Sequence, residues 1–395
     1  MAHQPDSNVI ETVVQLLCES GLSHMAEAVR IMLNEAMKIE RSQALEAAPW
    51  ERSEKRRGYA NGFKPKTVAT RLGPLALQVP QVRGEVEFYP SALERGVRSE
   101  RALKLAVAEM YVRGVSTRKV TGVMEQLCGF EVTSSQVSRA SQMLDEELRA
   151  WRNRPLGRMQ YLYVDARYEK VRVNGSVLPC AVLIAVGVAE DGRRSLLGVS
   201  VSLSEAEVHW RDFFSGLQAR GLHGVVLIVS DDHAGLNAAR EARFPGVAWQ
   251  RCQFHLQQNA GKYVPRIPMR VEVARDLRAI FDSPDRAEAD RRLQLTVAKY
   301  AKSAPRLSAW LEQNVPDGLT VFQFPPEHRR RLRTSNLLER INKEIKRRTR
   351  VATLFPNDAA LLRLVSAILM EISEEWETEK IYLNMENSNS PKQEE

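Results

Sequence analysis

Three apolar runs between Tyr161 and Ser202 constrain this chain more tightly than any other feature. They read YLYVDARYEKVRV (161–173), LPCAVLIAVGVA (178–189) and RSLLGVSVS (194–202), separated by Asn174-Gly175 and Asp191-Gly192. Runs rich in β-branched and aromatic residues, divided by dipeptides that accept a positive φ, predict consecutive hairpin strands. The pattern then changes. A helical stretch, EAEVHWRDFFSGLQARG, precedes a wholly apolar strand, GVVLIVSDD, and a second helix, AGLNAAREARF, precedes a short strand, VAWQRC.

Three antiparallel strands followed by helix, strand, helix, strand is the order of a ribonuclease H-like core, an α/β fold with a mixed sheet. We place its first part at 158–258. From 259 to 327 the signal is helical, with breaks at Pro265, Pro284, Pro305 and Pro316, and reads as an insertion. Final helices at 328–380 complete the core, and the polar tail 381–395 reads as disordered.

Upstream the chain is mostly helical. An N-terminal helical region (1–50), broken near Gly21, precedes a small basic β-containing region (51–98) carrying Arg56, Arg57 and Lys64. Residues 99–150 read as three helical pieces, the last being TSSQVSRASQMLDEEL. Two short helices joined by a Gly-containing turn suggest a helix-turn-helix, with Ser135, Gln136 and Arg139 facing base edges. A plain three-helix packing module fits that spacing equally well.

Charge points to an acidic partner. Between Arg329 and Arg350 ten Lys or Arg stand against two Glu, a net of +8, and the whole chain also carries +8. The rest of the sequence therefore sums to zero, and the excess is local. Clustered basic residues suit nucleic acid. The four cysteines are far apart and include no C-x-x-C pair, which fits a reducing cytoplasm and argues against a disulfide framework. Neither a signal peptide nor an apolar run of membrane-spanning length is visible.

Three acids stand out against this background. Asp165 lies within a strand, where aspartate is disfavoured, on the same face as Tyr161 and Tyr163. Asp231 ends an apolar strand, at the edge where α/β sheets place ligands. Adjacent Asp232 serves as a helix cap at least as well, so the pair is open by one residue. Glu339 sits in the most basic helix, on the side of Lys343 and Lys346 and away from Leu337, Leu338, Ile341 and Ile345. A capping box with Asn336, or a pair with Lys343, would explain Glu339 without chemistry. Together the three suit hard divalent cations, which take carboxylate oxygens, with two ions serving in-line phosphoryl transfer. Arg340, Lys343, Lys346 and Arg347 would hold DNA phosphates.

The segments RPLGRMQYLYVDARYEKVRVNG, VSDDHAGL, WQRCQFHLQQN and RTSNLLERINKEIKRRTRVATLFPN resemble the Mutator-related bacterial insertion-sequence transposases. The likeness runs from about residue 50 to 376. It implies an active DDE transposase with Asp165, Asp231 and Glu339 as catalytic and metal-binding residues, using two Mg²⁺ or Mn²⁺ ions. Cys252 and His255 match the family's cysteine–histidine signature and are expected to support the active site. Asp232 departs from the small or neutral residue usual there. The implied partners are double-stranded DNA, as terminal inverted repeats and as target, and further copies of the chain in a dimer or larger oligomer. Two other readings stay open: a non-catalytic helix-turn-helix regulator, and a nuclease or resolvase with the same core. Trp310 is either core or a stacking surface for an unpaired base.

Overall fold

The computed structural model describes residues 7–84, 86–93, 95, 99–350, 354–378 and 381–385. It divides into two compact units, Met1–Met143 and Leu144–Glu395. The first opens with α1 (Ser7–Ser20) and α2 (Met25–Ala44), separated by a 3-10 turn where Gly21 takes a φ of +59°. The hairpin of β1 (Gly58–Thr70) and β2 (Gly73–Gly84) follows. β2 alternates with period two, burying Leu75 and Leu77 against Met37 of α2. β1 is exposed along most of its length, so one face of the ribbon stays open.

Helices α3 (Arg101–Val112), α4 (Thr117–Cys128) and α5 (Ser134–Ser141) pack on one another and bury Val107, Val120, Met124 and Val137. Gly129, at φ +68°, ends α4, and Thr133 opens α5 through a capping box with Gln136. The stretch 133–148 is not the single helix that its periodicity predicts. A 3-10 turn at Gln142–Leu144 interrupts it, and α6 (Asp145–Asn153) belongs to the second unit. There Arg363 Nε and Nη2 grip the Asp145 carboxylate at 2.6 and 2.8 Å, and Leu148 is buried.

The second unit is built on a five-stranded mixed sheet. Strands β3 (Tyr161–Val173), β4 (Ser176–Val188) and β5 (Arg194–Ser202) form an antiparallel meander. Asn174 and Gly175, at φ +48° and +83°, make the first turn, as the dipeptide predicts. α7 (Glu207–Ala219) crosses to β6 (Leu227–Ser230), and α8 (Ala234–Arg243) leads to β7 (Ala248–Arg251). The sheet order is β5-β4-β3-β6-β7, with β3, β6 and β7 mutually parallel. Leu162, Val164, Leu183 and Ala185 meet Trp210 and Phe214 of α7 and Leu236 of α8 on one face.

Between β7 and the basic helix come α9 (Gln253–Ala260), α10 (Met269–Phe281), α11 (Arg286–Tyr300), α12 (Pro305–Asn314) and α13 (Pro326–Leu332). Pro305 begins α12 rather than breaking it, since proline lacks only an amide that the first helical turn leaves unused. Then α14 (Asn336–Thr349) and α15 (Asp358–Thr378) cover the second face of the sheet. The segment 381–385, Ile-Tyr-Leu-Asn-Met, belongs to the expected disordered tail yet packs on the core, in keeping with its apolar side chains. Tyr382 N and Leu383 N both donate to Gly192 O, at 3.0 and 3.1 Å, and Leu383 and Met385 are buried. Gly192 has a φ of +79°, and a Cβ there would meet Leu383 O at 1.8 Å, so the strap needs a glycine beneath it. Residues 386–395 lie outside the described residues. Among those described, no helix is long and apolar enough to cross a membrane.

The position of α6 sets a test. A chain beginning at Leu144 is expected to fold on its own, whereas one beginning at Trp151 loses the Asp145–Arg363 pair and the buried Leu148. Its stability in a urea titration should be lower by about 2–4 kcal/mol. Equal midpoints for the two truncations would show that α6 is dispensable.

Candidate active site

The register of two parallel strands brings the first two acids together. Tyr161, Leu162 and Tyr163 of β3 pair with Leu227, Ile228 and Val229 of β6. Two residues past Tyr163 and Val229 lie Asp165, within β3, and Asp231, one residue beyond the end of β6. Tyr161 and Tyr163 turn to the α13 side, where Tyr161 Oη meets His328 Nδ1 at 2.9 Å and Tyr163 Oη donates to Arg331 O at 3.2 Å. Asp165 shares that face. Its Oδ1 accepts from Ala166 N at 2.9 Å and its Oδ2 from Asn342 Nδ2 of α14 at 2.8 Å. Asp165, Asp231, His255, Glu339, Asn342 and Lys343 all line one cavity of about 680 Å³.

Glu339 reaches this cavity from the first turn of α14. The capping box with Asn336 does not form, because the residue before the helix is Ser335, which makes no side-chain cap. Ser335 is engaged elsewhere: its N and its Oγ both donate to Cys252 Sγ at 3.3 Å. Cys252 N in turn donates to Ser230 O at 2.8 Å. One fully buried cysteine therefore joins the strand end before Asp231 to the helix start before Glu339.

His255, one turn along α9, places Nδ1 3.9 Å from Asp231 Oδ2. The adjacent Cys252 sulfur, ahead of the carboxylates of Asp231 and Asp165, raises its pKa to about 9. Burial pushes the Cys252 thiol up, but hydrogen bonds from His255 and Ser335 outweigh it and leave the thiol below its ordinary value. Burial also dominates at Asp165, whose pKa is raised to about 6.

Asp232 also borders the cavity, but it is tied down. Arg251 Nη1 lies 3.1 Å from its Oδ2, and Asn237 Nδ2 donates to its Oδ1 at 2.7 Å. It does not cap α8, whose preceding residue is His233. The adjacent acids thus have different surroundings: Asp231 faces His255, and Asp232 faces a buried arginine.

Not every basic residue predicted for DNA contact points into the cavity. Lys343 and Lys346 line it, exposed beside Glu339. Arg347 does not, because its Nε and Nη2 hold Glu344 at 2.8 and 2.7 Å. Arg340 faces a separate hollow with Arg194, Arg331 and Tyr382. In the first unit Ser135 and Arg139 are exposed on α5, but Gln136 Oε1 accepts from Thr133 N at 2.7 Å and is consumed by the cap. Lys64 is exposed on β1, Arg57 lies 3.5 Å from Glu46, and Arg56 braces its own loop. Trp310 is 9% exposed and stacks on Tyr263 at 5.4 Å, so it is core.

The cavity suits a hard cation. Glu339 Oε1 and Asn342 Oδ1 are buried without hydrogen-bond partners, and an unpaired buried oxygen is costly unless a cation or donor completes it. Among the described residues no three His, Cys, Asp or Glu side chains converge on one point. Asn342 and Ser335 escaped the sequence reading. Asn342 stands three residues after Glu339 and so shares its face, a signal that was available. Ser335 carried none, because its role depends on a cysteine 83 residues earlier.

One cavity thus gathers a carboxylate from within β3, one just beyond the end of β6 and a third from a basic helix. Comparison with known proteins makes the family explicit. The profile described as "Transposase, Mutator family" matches residues 7–379, and the chain belongs to that family. It is 58% identical to the transposase for insertion sequence element IS406 of Burkholderia multivorans over 97% of this chain and 99% of that one. It is 44% identical to the ISRM5 transposase of Rhizobium meliloti, over 92% and 91% of the two chains. Identity to the IS256 transposase in transposon Tn4001 of Staphylococcus aureus is 34%, over 94% and 95%.

The raised Asp165 pKa has a consequence for stability. An ordinary aspartate titrates near ~4, so the folded chain holds a proton between pH ~4 and about 6 that the unfolded chain has released. Stability contributed by this group is therefore greatest below pH ~4 and falls as pH rises to about 6. In EDTA, Asp165→Asn should be more stable than the parent at pH 7.5 by about 1–3 kcal/mol, and the gap should close near pH 4. A less stable variant at pH 7.5 would show that the carboxylate is not strained.

Proposed function

We propose that this chain is a DDE transposase that binds the terminal inverted repeats of an insertion sequence and catalyses metal-dependent DNA cleavage and strand transfer. The observation that carries the reading is the single cavity shared by Asp165, Asp231, Glu339, Lys343 and Lys346, in a member of the Mutator family. The sheet order β5-β4-β3-β6-β7, with its first three strands antiparallel, supports a ribonuclease H-like core interrupted by the helices α10 to α12. In this reading residues 158–258 and 328–380 form the core and 259–327 the insertion, while 1–143 carries DNA recognition, with α4 and α5 as the helix-turn-helix.

The carboxylates of Asp165, Asp231 and Glu339 would hold two Mg²⁺ or Mn²⁺ ions. Such ions, when bound, activate the attacking oxygen and stabilise the departing one in an in-line displacement at phosphorus. The chain's own residues do the rest. Asn342 fixes the Asp165 carboxylate. Cys252 and Ser335 tie the start of Glu339's helix to the strand end before Asp231. His255 carries positive charge beside Asp231 and offsets part of the carboxylate repulsion. Lys343 and Lys346 would take the phosphates that flank the scissile bond. Double-stranded DNA is the partner, and two or more copies would act together on paired ends in the cytoplasm.

Mapping strand cleavage and joining on element ends in Mg²⁺ or Mn²⁺ tests the reading. Asp165→Asn, Asp231→Asn and Glu339→Gln should each abolish both steps while keeping end binding within a few-fold, and Asp232→Asn should cut activity only mildly. Near-normal strand transfer by any of the first three would remove that residue from the site. Cleavage of branched DNA without end specificity would indicate a resolvase, and binding without nicking would indicate a regulator.

A second measurement separates phosphate contacts from chemistry. Lys343→Ala/Lys346→Ala should weaken binding on all sequences and flatten the salt dependence by about two units of slope, near −0.9 per lost phosphate contact. Adding Arg347→Ala should change little further, because Glu344 already holds that guanidinium. An unaltered slope in the double variant would mean that this face does not meet DNA.

A further inference from the structure

The loop between α2 and β1 displays the most exposed large apolar side chain among the described residues. Trp50 is 99% exposed, and its φ of +63° lies where a bulky residue is strained. The loop is nonetheless firmly built. Ala48 N donates to Glu51 Oε2 at 2.7 Å, and Glu51 N to Ala48 O at 3.2 Å. Arg56 Nη2 reaches the carbonyls of both residues flanking the turn, Ala48 at 3.1 Å and Glu51 at 2.5 Å. The indole is held outward by a braced turn.

It stands at a cleft of about 830 Å³ in the first unit. Tyr59, 58% exposed, lies under the guanidiniums of Arg56 and Arg83, 5.6 and 5.7 Å from its ring centre. Phe63, 45% exposed further along β1, lies under Arg41 at 5.1 Å. Arg52 and Arg83 make no ion pair among the described residues. The lining holds four arginines against two glutamates, one of which, Glu51, is occupied by the turn.

Exposed aromatic rings alternating with cations are the chemistry that recognises nucleobases and the phosphates between them. An apolar protein partner would leave the arginines without counter-charge. Intact duplex would leave the indole without a face to meet, because its bases are stacked on each other. We propose that this cleft binds an unpaired nucleobase of opened or single-stranded DNA, stacked on Trp50, with the adjoining phosphates on Arg52 and Arg83. The proposal rests on the transposase reading and adds a single-strand subsite remote in sequence from the carboxylates. Cleavage at an element end yields such unpaired nucleotides when the two strands are cut at different positions.

The test compares binding of the full chain to an element-end duplex with and without a three-nucleotide thymidine flap, in EDTA at fixed salt. The parent should favour the flap by roughly tenfold, the scale of one base–aromatic stack, with quenching of tryptophan fluorescence. Trp50→Ala should lose the preference and the quenching while keeping its affinity for plain duplex and its melting temperature. Trp50→Gly, which also relieves the positive φ, should behave the same, and it guards against a folding defect in the alanine variant. Arg52→Ala/Arg83→Ala should weaken flap binding at low salt. An unchanged flap preference in both Trp50 variants overturns the proposal. So does a change in the sedimentation of the DNA-free protein, which would make the surface a contact between copies. If the parent binds neither DNA, the transposase reading fails as well, and that outcome is distinct from a parent that binds both equally.

Discussion

The parallel pairing of β3 with β6 is the interaction on which the rest of the second unit depends. Three consecutive pairs set the register, and a slip of one residue would turn Asp165 to the opposite face of the sheet. The register is pinned from both sides. Leu162 and Val164 close on α7 and α8, while Tyr161 and Tyr163 satisfy their hydroxyls against α13. Placement of the acids is thus a by-product of hydrophobic and polar satisfaction in neighbouring residues. The third acid comes in through Cys252, whose amide and thiol tie the end of β6 to the start of α14. A sulfur acceptor is a weak anchor for two donors, but full burial removes water as a competitor.

The electrostatics of the cavity are set by burial as much as by charge. Asp165 is pushed up by desolvation, while His255 is pushed up by its sulfur and carboxylate neighbours, so the site retains protons that isolated groups would have lost. Glu339 and Asn342 each keep a buried oxygen without a donor. These are local costs, met by the large apolar core beneath them, and a cation or a hydrogen-bond donor in the pocket would relieve them. Strain concentrated at a site and paid for elsewhere is the usual pattern where function conflicts with stability.

Much of this was legible from the chain itself. Asn174-Gly175 and Asp191-Gly192 announced the hairpins, and the outward turn of Glu339 followed from the spacing of Leu337, Leu338, Ile341 and Ile345. Local patterns failed where a partner distant in sequence decided the outcome. Periodicity ran through Gln142–Leu144, yet the chain breaks there because Arg363 and the sheet claim the following turn. The tail from 381 reads as disordered, but its apolar first residues dock, with Tyr382 and Leu383 donating to Gly192. Helical projection put Arg347 with Lys343, and only the neighbouring Glu344 shows that it is occupied.

The sequence by itself determined the mixed α/β class, the order of strands and helices, the three acids worth weighing and the membership of a transposase family. All of these rest on short-range periodicity, turn chemistry and motif spacing, which one residue and its near neighbours can encode. Only the tertiary structure shows that Asp231 faces His255 while Asp232 faces Arg251, what Cys252 touches, which cations line the cavity with the carboxylates and that Asn342 holds Asp165. Each of those depends on atoms brought together from positions up to 177 residues apart, and a hydrogen bond or a desolvation exists only once the intervening chain has folded.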